Sequence, residues 1–469
     1  MLFASTVFLY IFLPVTLILY YTVCKRSRRA QNILLLLSSL LFYAWGEPVF
    51  VLIMIASIVV NYFLGLLIEK SRANKGISRL IIATTVIFNL SFLFVFKYLG
   101  FSLKLFNSIF SANLYVPEIA LPIGISFFTF QAMSYVFDVY RKKGKVQKNI
   151  LNVALYISFF PQLIAGPIVR YQTIAEQINN RKETIDNITK GVCRFIIGLG
   201  KKVLIANNMA VIADAAFDVE IKSTAFAWLG ALCYTLQIYF DFCGYSDMAI
   251  GLGKMFGFHF NENFNYPYIS KSVSEFWRRW HISLGTWFRD YVYFPLGGSR
   301  VKSKARLVFN LFVVWTLTGI WHGANLTFLI WGLGYFVLLA IEKLTGLGKR
   351  LENTAIISRI YTLFFVVIGW VIFRSDSISD AIDYLGTMFG LNANSLLSDE
   401  AWYILQPKLL FLLFGLLFSF PVAPYISKRL KTDKKPYGFI YFLLITAIFL
   451  LSVAFIVKGT YNPFIYFNF

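Results

Sequence analysis

Two histidines carry most of the chemistry open to this chain. His281 stands in Ser274-Glu275-Phe276-Trp277-Arg278-Arg279-Trp280-His281-Ile282-Ser283, and His322 in Gly319-Ile320-Trp321-His322-Gly323-Ala324-Asn325. There are only three histidines in 469 residues, 58% of which are hydrophobic. An imidazole takes and returns a proton near neutral pH, and an ionisable group beside long apolar runs is costly to keep. Acyl transfer from a thioester to an alcohol needs one such base and a group that stabilises an oxyanion. At His322, Gly323 lets the backbone turn and Asn325 supplies an amide donor. The competing reading is a histidine hydrogen-bonded inside a helix bundle. At His281, the neighbours Trp277, Arg278, Arg279 and Trp280 suit a donor that carries phosphates and a base, gripped by charge and stacking. They suit equally an interfacial helix anchored to lipid headgroups. His259, in Phe258-His259-Phe260-Asn261, has no comparable setting and reads as structural.

Two more polar clusters interrupt apolar runs. The stretch Gln237 to Asp247 places Asp241 and Asp247 six residues apart inside one candidate span, and such carboxylates must face a cavity or a partner. Gln237 and Asp241 are therefore candidate substrate contacts. In Phe160-Pro161-Gln162-Leu163-Ile164-Ala165-Gly166-Pro167, two prolines and a glycine break the run, and that backbone must be buried in protein or line a cavity. Gly-Leu-Gly-Lys recurs at 198–201, 251–254 and 346–349, but no Ser or Thr follows the lysine. A glycine stop at a helix end explains these better than a phosphate loop. The four cysteines are scattered, so neither a disulfide framework nor a metal site is indicated.

The elements that must position these residues are membrane helices. Mean hydropathy is +0.66 and only 14% of residues are charged, well below the roughly 25% of soluble domains. Apolar runs cover 2–23, 31–46, 49–68, 79–97, 118–139, 150–169, 188–215, 224–252, 306–322, 325–342, 356–374, 408–427 and 437–458. The expectation is an all-α polytopic membrane protein, one integral-membrane domain over 1–469. Eleven or twelve runs would cross the bilayer, and the short ones (31–46, 150–169, 306–322) would be tilted, broken or re-entrant. The run 2–23 is too long for a signal-peptide core and reads as the first span. The net charge of +21 sits in loops, as the positive-inside rule expects, which argues against nucleic acid. Lys25 to Arg29, Lys70 to Arg79 and Arg141 to Lys145 fall on one side if the N-terminus is outside. Lys428, Arg429, Lys431, Lys434 and Lys435 join them if 150–169 does not cross. Residues 254–306 hold nine Lys or Arg, three acids and three tryptophans, and read as cytosol-side helices lying in or dipping into the interface.

These residues carry a resemblance. Gln237 to Gly251, Glu275 to Tyr291, Pro295-Leu296-Gly297-Gly298 and Trp321-His322-Gly323-Ala324-Asn325 resemble the membrane-bound O-acyltransferase family, closest to its bacterial alginate O-acetylation branch. The opening Phe3-x-Ser5-x-x-Phe8-Leu9-x-x-Phe12-Leu13-Pro14 and Phe42-Tyr43-Ala44-Trp45 are similar too. The resemblance implies a helical bundle around a central tunnel, with the family's characteristic histidine at His322 and a second, branch-specific one at His281. It implies an acetyl group taken from cytosolic acetyl-CoA, a substrate and not a resident cofactor, and moved outward across the bacterial cytoplasmic membrane. An extracytoplasmic transferase partner would pass it to a polysaccharide. Two alternatives stand beside this: D-alanyl transfer to teichoic acid from a carrier protein, and a transporter whose histidines relay protons. Alginate, cellulose, another exopolysaccharide and peptidoglycan all remain open as acceptors.

Overall fold

The computed structural model describes the chain except residues 219–222, 431–434, 460, 464 and 466–469, and it leaves the side chains of 352, 355, 427–430 and 435–437 undescribed. Lys431 and Lys434 thus lie outside the described residues, as do the side chains of Lys428, Arg429 and Lys435. Among the described residues the elements are helical, apart from one isolated bridge between Ser223 and Ser395. Among the described residues, seven helices are long and apolar enough to cross a membrane: Val51–Lys70, Lys75–Phe110, Ile185–Asp218, Leu326–Thr345, Ile356–Arg374, Asp399–Phe418 and Gly438–Lys458. The other apolar runs form shorter or more polar helices. The run 150–169 is the clearest case, since its helix Ile150–Ser158 ends at an extended Phe159 just ahead of Pro161.

Contacts group the chain into two compact units, Met1–Phe195 with Ser246–Asn261, and Ile196–Tyr245 with Glu262–Phe469. The first unit is built on phenylalanine. Phe8 and Phe12 of the opening motif, Phe42 and Phe160 form one ring cluster with centroids 5.3–6.3 Å apart. The segment 159–169 is buried throughout, and the Phe160 N–H donates to Ser39 Oγ at 3.0 Å. The proline-glycine break is thus folded into protein, as its unpaired backbone requires. A Cβ on Gly166 would come 2.5 Å from the Gln162 Cα, so the turn admits only glycine there. Asp247 pairs with Arg194 at 2.7 Å in the same unit.

In the second unit the helices Lys304–His322 and Leu326–Thr345 form a tight hairpin. Gly319 and Gly332 face each other in it, and a Cβ on Gly332 would lie 2.5 Å from the Trp315 carbonyl oxygen. Small residues let the two backbones approach, which is how apolar helices gain packing where water supplies no drive. The three Gly-Leu-Gly-Lys copies divide. Gly346, at φ +71°, stops the Leu326–Thr345 helix as expected. Gly198 and Gly251 instead lie inside helices, where a Cβ on Gly244 would meet the Gly198 carbonyl at 2.7 Å and one on Gly251 the Gly191 carbonyl at 2.6 Å. There the glycines serve close approach, with no helix stop.

Candidate active site

His281, His322, Trp277, Arg278, Arg279, Trp280, Trp321, Asn325, Gln237 and Asp241 all fall in the second unit. The seven-residue helix Val273–Arg279, which carries Trp277, Arg278 and Arg279, is held by its start. Ser272 Oγ accepts the Glu275 N–H at 3.0 Å, and Glu275 Oε2 accepts the Lys271 N–H at 2.8 Å, a capping-box arrangement. A third acceptor is buried Glu342, from the Leu326–Thr345 helix. Its carboxylate takes the N–H groups of Val273 at 2.7 Å and Ser274 at 2.9 Å. A negative charge at a helix start also meets the positive end of the peptide dipoles.

The chain then turns at His281, whose φ of +43° is rare for a non-glycine residue. A strap of Asn263 and Asn265 holds the turn. Ile282 N–H donates to the Asn263 carbonyl at 2.9 Å, and Asn265 N–H to the Arg279 carbonyl at 2.9 Å. Asn263 Oδ1 accepts from Ser283 Oγ at 2.8 Å and lies 3.2 Å from His281 Nδ1. The imidazole stands at 90° to the Phe242 ring, 4.6 Å away, and is buried. Burial disfavours the imidazolium and lowers its pKa to about 3, so His281 is neutral at physiological pH. Non-helical, strained backbone held by several partners is typical of functional turns.

His322 is the last residue of the Lys304–His322 helix and is also buried. Its ring meets Trp331 at 5.0 Å and Phe373 at 5.2 Å, both edge-on. Trp321 joins the two histidines, with its indole 5.0 Å from His322 and 6.0 Å from His281 by ring centroids. The structure therefore places both imidazoles around a single indole, although 40 residues separate them in sequence. Behind His322 lies an aromatic wall: Trp277 is 5.4 Å from Trp331 and 4.9 Å from Tyr335, and Trp280 is 4.8 Å from Trp370. The indole nitrogens of Trp277 and Trp331 and the Tyr335 hydroxyl are buried and have no hydrogen-bond partner among the described residues.

The remaining candidates are placed differently. Asn325 is the N-cap of the Leu326–Thr345 helix. Its Oδ1 accepts the Thr327 N–H at 3.1 Å and its Nδ2 donates to the Asp376 carbonyl at 2.6 Å, so both ends of the amide are engaged in the turn. Arg279 is tied to Glu275 at 2.8 Å and to the Asn265 carbonyl at 3.0 Å, whereas Arg278 is exposed. Asp241 forms a buried ion pair with Lys202 at 2.7 Å and accepts the Ile465 N–H at 3.0 Å. Gln237 is buried one helical turn before it, its Oε1 without a partner among the described residues. Sequence reasoning passed over Asn263, Ser283, Lys202, Trp331 and Tyr335. Lys202 had left a trace, as a cation within the apolar run 188–215.

Comparison with known proteins gives a consistent picture. The model of MBOAT, the membrane-bound O-acyltransferase family, matches residues 40–379. The chain is 45% identical to a probable alginate O-acetylase of Pseudomonas syringae pv. tomato over 83% of its length and 75% of that protein. It is 40% identical to the Pseudomonas putida counterpart, with 100% of both chains covered. With a peptidoglycan O-acetyltransferase of Helicobacter pylori it shares 38% identity over 86% of its length and 82% of that protein.

Proposed function

Because this chain belongs to the membrane-bound O-acyltransferase family, we propose that it O-acetylates an exported or cell-wall polysaccharide, with His322 as its base. One observation carries the reading: two buried imidazoles flank one indole beside buried donors that lack acceptors among the described residues. In this reading His322 removes the proton of an acceptor hydroxyl while its oxygen attacks the acetyl carbonyl carbon of a thioester. The C–O bond forms, the C–S bond breaks, and the proton passes from His322 to the departing thiolate. Because Asn325 is spent in its cap, the indole N–H groups of Trp331 and Trp277 are the better donors to the carbonyl oxygen. His281, neutral and fixed by Asn263, orients the donor, and exposed Arg278 meets its phosphates.

The acyl group is read as acetyl because the relatives named above are acetylases. Acetyl-CoA as donor, the cytosolic side as its source, an N-terminus outside the bacterial cytoplasmic membrane and an extracytoplasmic partner belong to the same proposal. The basic loops between spans support the orientation. The test uses purified protein with radiolabelled acetyl-CoA. Wild type should release free CoA as label reaches an acceptor hydroxyl or a partner. His322→Gln, folded and membrane-inserted, should lose this by at least about a thousandfold if the base is essential. Transfer at the wild-type rate in that variant would remove His322 from the mechanism.

A further inference from the structure

The first unit holds a cavity of about 320 Å³ between the starts of the helices Arg28–Ala44 and Ile150–Ser158. Two of its polar residues are already engaged. Arg28 is ion-paired with Glu183 and donates to the Arg181 carbonyl at 2.6 Å. Asn32 donates to the Ile178 carbonyl at 3.0 Å and accepts from Arg181 at 2.7 Å. What remains is a set of donors beside one amide acceptor, the Oδ1 of Asn152. Arg29 lines the cavity and makes no ion pair among the described residues. Asn149 spends its Oδ1 on the Leu151 N–H, leaving its NH₂. Asn179 Oδ1 accepts from Asn152 at 3.5 Å, which likewise leaves the Asn179 NH₂.

No acidic side chain lines the cavity; of the two that flank Asn179 in sequence, Glu176 and Glu183, the latter is paired with Arg28. Lys25, Arg26, Lys145 and Lys148 lie just ahead of the two helices instead. Uncommitted guanidinium and amide donors in a basic setting select a phosphate ester, which a guanidinium fork can bind through two oxygens. Ile33 and Leu151 supply an apolar side to the same cavity, Leu151 being exposed. A small soluble anion has no use for that side, but the glycerol and first acyl carbons of a phospholipid do.

We propose that this cavity binds the phosphate of an anionic phospholipid, gripped by Arg29 and the Asn149 and Asn179 amides, with its acyl chain along Ile33 and Leu151. The volume lies at the small end of ligand sites, of order 300 Å³ and upward, and suits one headgroup. The site is independent of the acetyl-transfer reading, since its residues and its assay differ from those at His322.

The experiment is lipid retention by the full chain in nanodiscs of mixed phosphatidylglycerol and phosphatidylcholine, read by native mass spectrometry. Wild type should keep one phosphatidylglycerol in preference to phosphatidylcholine, and Arg29→Gln should weaken that preference about tenfold or more. Arg29→Lys should restore part of it, and Arg26→Gln, a charge change that does not line the cavity, should leave it near wild type. Equal losses in Arg29→Gln and Arg26→Gln would mean diffuse attraction to the membrane and overturn the site. A second arm uses phosphatidylcholine-only nanodiscs with glycerol phosphate or inorganic phosphate in solution. Occupancy by either at the level seen for phosphatidylglycerol would overturn the lipid assignment.

Discussion

The buried Lys202–Asp241 pair offers a quantitative test of how this fold handles charge. Only 4% of Lys202 and 1% of Asp241 is exposed, and their charged atoms are 2.7 Å apart. At that separation an effective dielectric of 20 gives an attraction of about 6 kcal/mol. Withdrawing both ions from water costs several kcal/mol each, so the intact pair contributes little net stability. Breaking it is another matter. In Lys202→Met the Asp241 carboxylate keeps, among the described residues, only the Ile465 N–H at 3.0 Å, and an uncompensated buried charge costs about 3–5 kcal/mol. Asp241→Asn should cost less than Lys202→Met, because the Asn carbonyl still accepts from Ile465 and Lys202 still donates to the Pro463 carbonyl. The double variant Lys202→Met/Asp241→Leu should recover most of the loss, giving a coupling of about 2–3 kcal/mol in a double-mutant cycle. Thermal unfolding in detergent, followed by tryptophan fluorescence, measures it. Losses that add to within about 0.5 kcal/mol would refute the pairing. The same variants decide Asp241's role: a double variant that folds and still transfers acetyl shows the carboxylate serving the pair, and one that folds but is inactive returns it to the substrate site.

Three further outcomes follow from the site. Glu342→Gln replaces one of the two carboxylate oxygens that accept the Val273 and Ser274 N–H groups by a donor, so it should cost about 2–3 kcal/mol. Hydrogen exchange at the Val273 and Ser274 amides should quicken, and unchanged protection would show that another group caps this helix. His281 has a folded pKa of about 3, whereas an unfolded imidazole titrates near 6.5. Between those values the unfolded chain binds the extra proton, so going from pH 7 to pH 5 should remove about 2 kcal/mol of stability. His281→Gln should lose that part of the pH dependence, and equal slopes in both proteins would show that His281 is not held neutral. Asn325→Ala should lower the melting temperature through loss of a cap worth about 1 kcal/mol, while Asn325→Asp keeps the acceptor for the Thr327 N–H, gives up the bond to the Asp376 carbonyl and should keep the activity. An Asn325→Asp enzyme that is tenfold slower than Asn325→Ala while melting no lower would restore the amide as a carbonyl donor.

The membrane character and the break near residue 160 were legible because each is a local property of the chain. Long apolar runs cannot be hidden in composition, and Pro161, Gly166 and Pro167 interrupt a helix wherever they occur. The two histidines were legible as chemistry for the same reason, since few residue types titrate near neutral pH. Their nearness was not, because it depends on Trp321 reaching from the Lys304–His322 helix to the His281 turn. That turn has no glycine to announce it; its left-handed backbone is fixed by Asn263, 18 residues away. Asn325 is the opposite case. An asparagine two residues before threonine, at the start of an apolar run, is a helix-start signal in its own right. Its nearness to His322 in sequence drew a chemical reading that the cap geometry does not support.

Asp241 marks the boundary between the two kinds of information. A carboxylate inside an apolar helix implies that something compensates it, and that much follows from the cost of a lone charge. The compensating group was equally visible as Lys202 within a neighbouring apolar run, and two opposite charges in two such runs are each other's cheapest partners. Asp247 and Arg194, also in two apolar runs, pair in the same way. Charges in apolar runs should therefore be matched first to one another. Only those left over are candidates for substrate, and by that rule the polar groups near His322 without a partner among the described residues include the donors of Trp277, Trp331 and Tyr335.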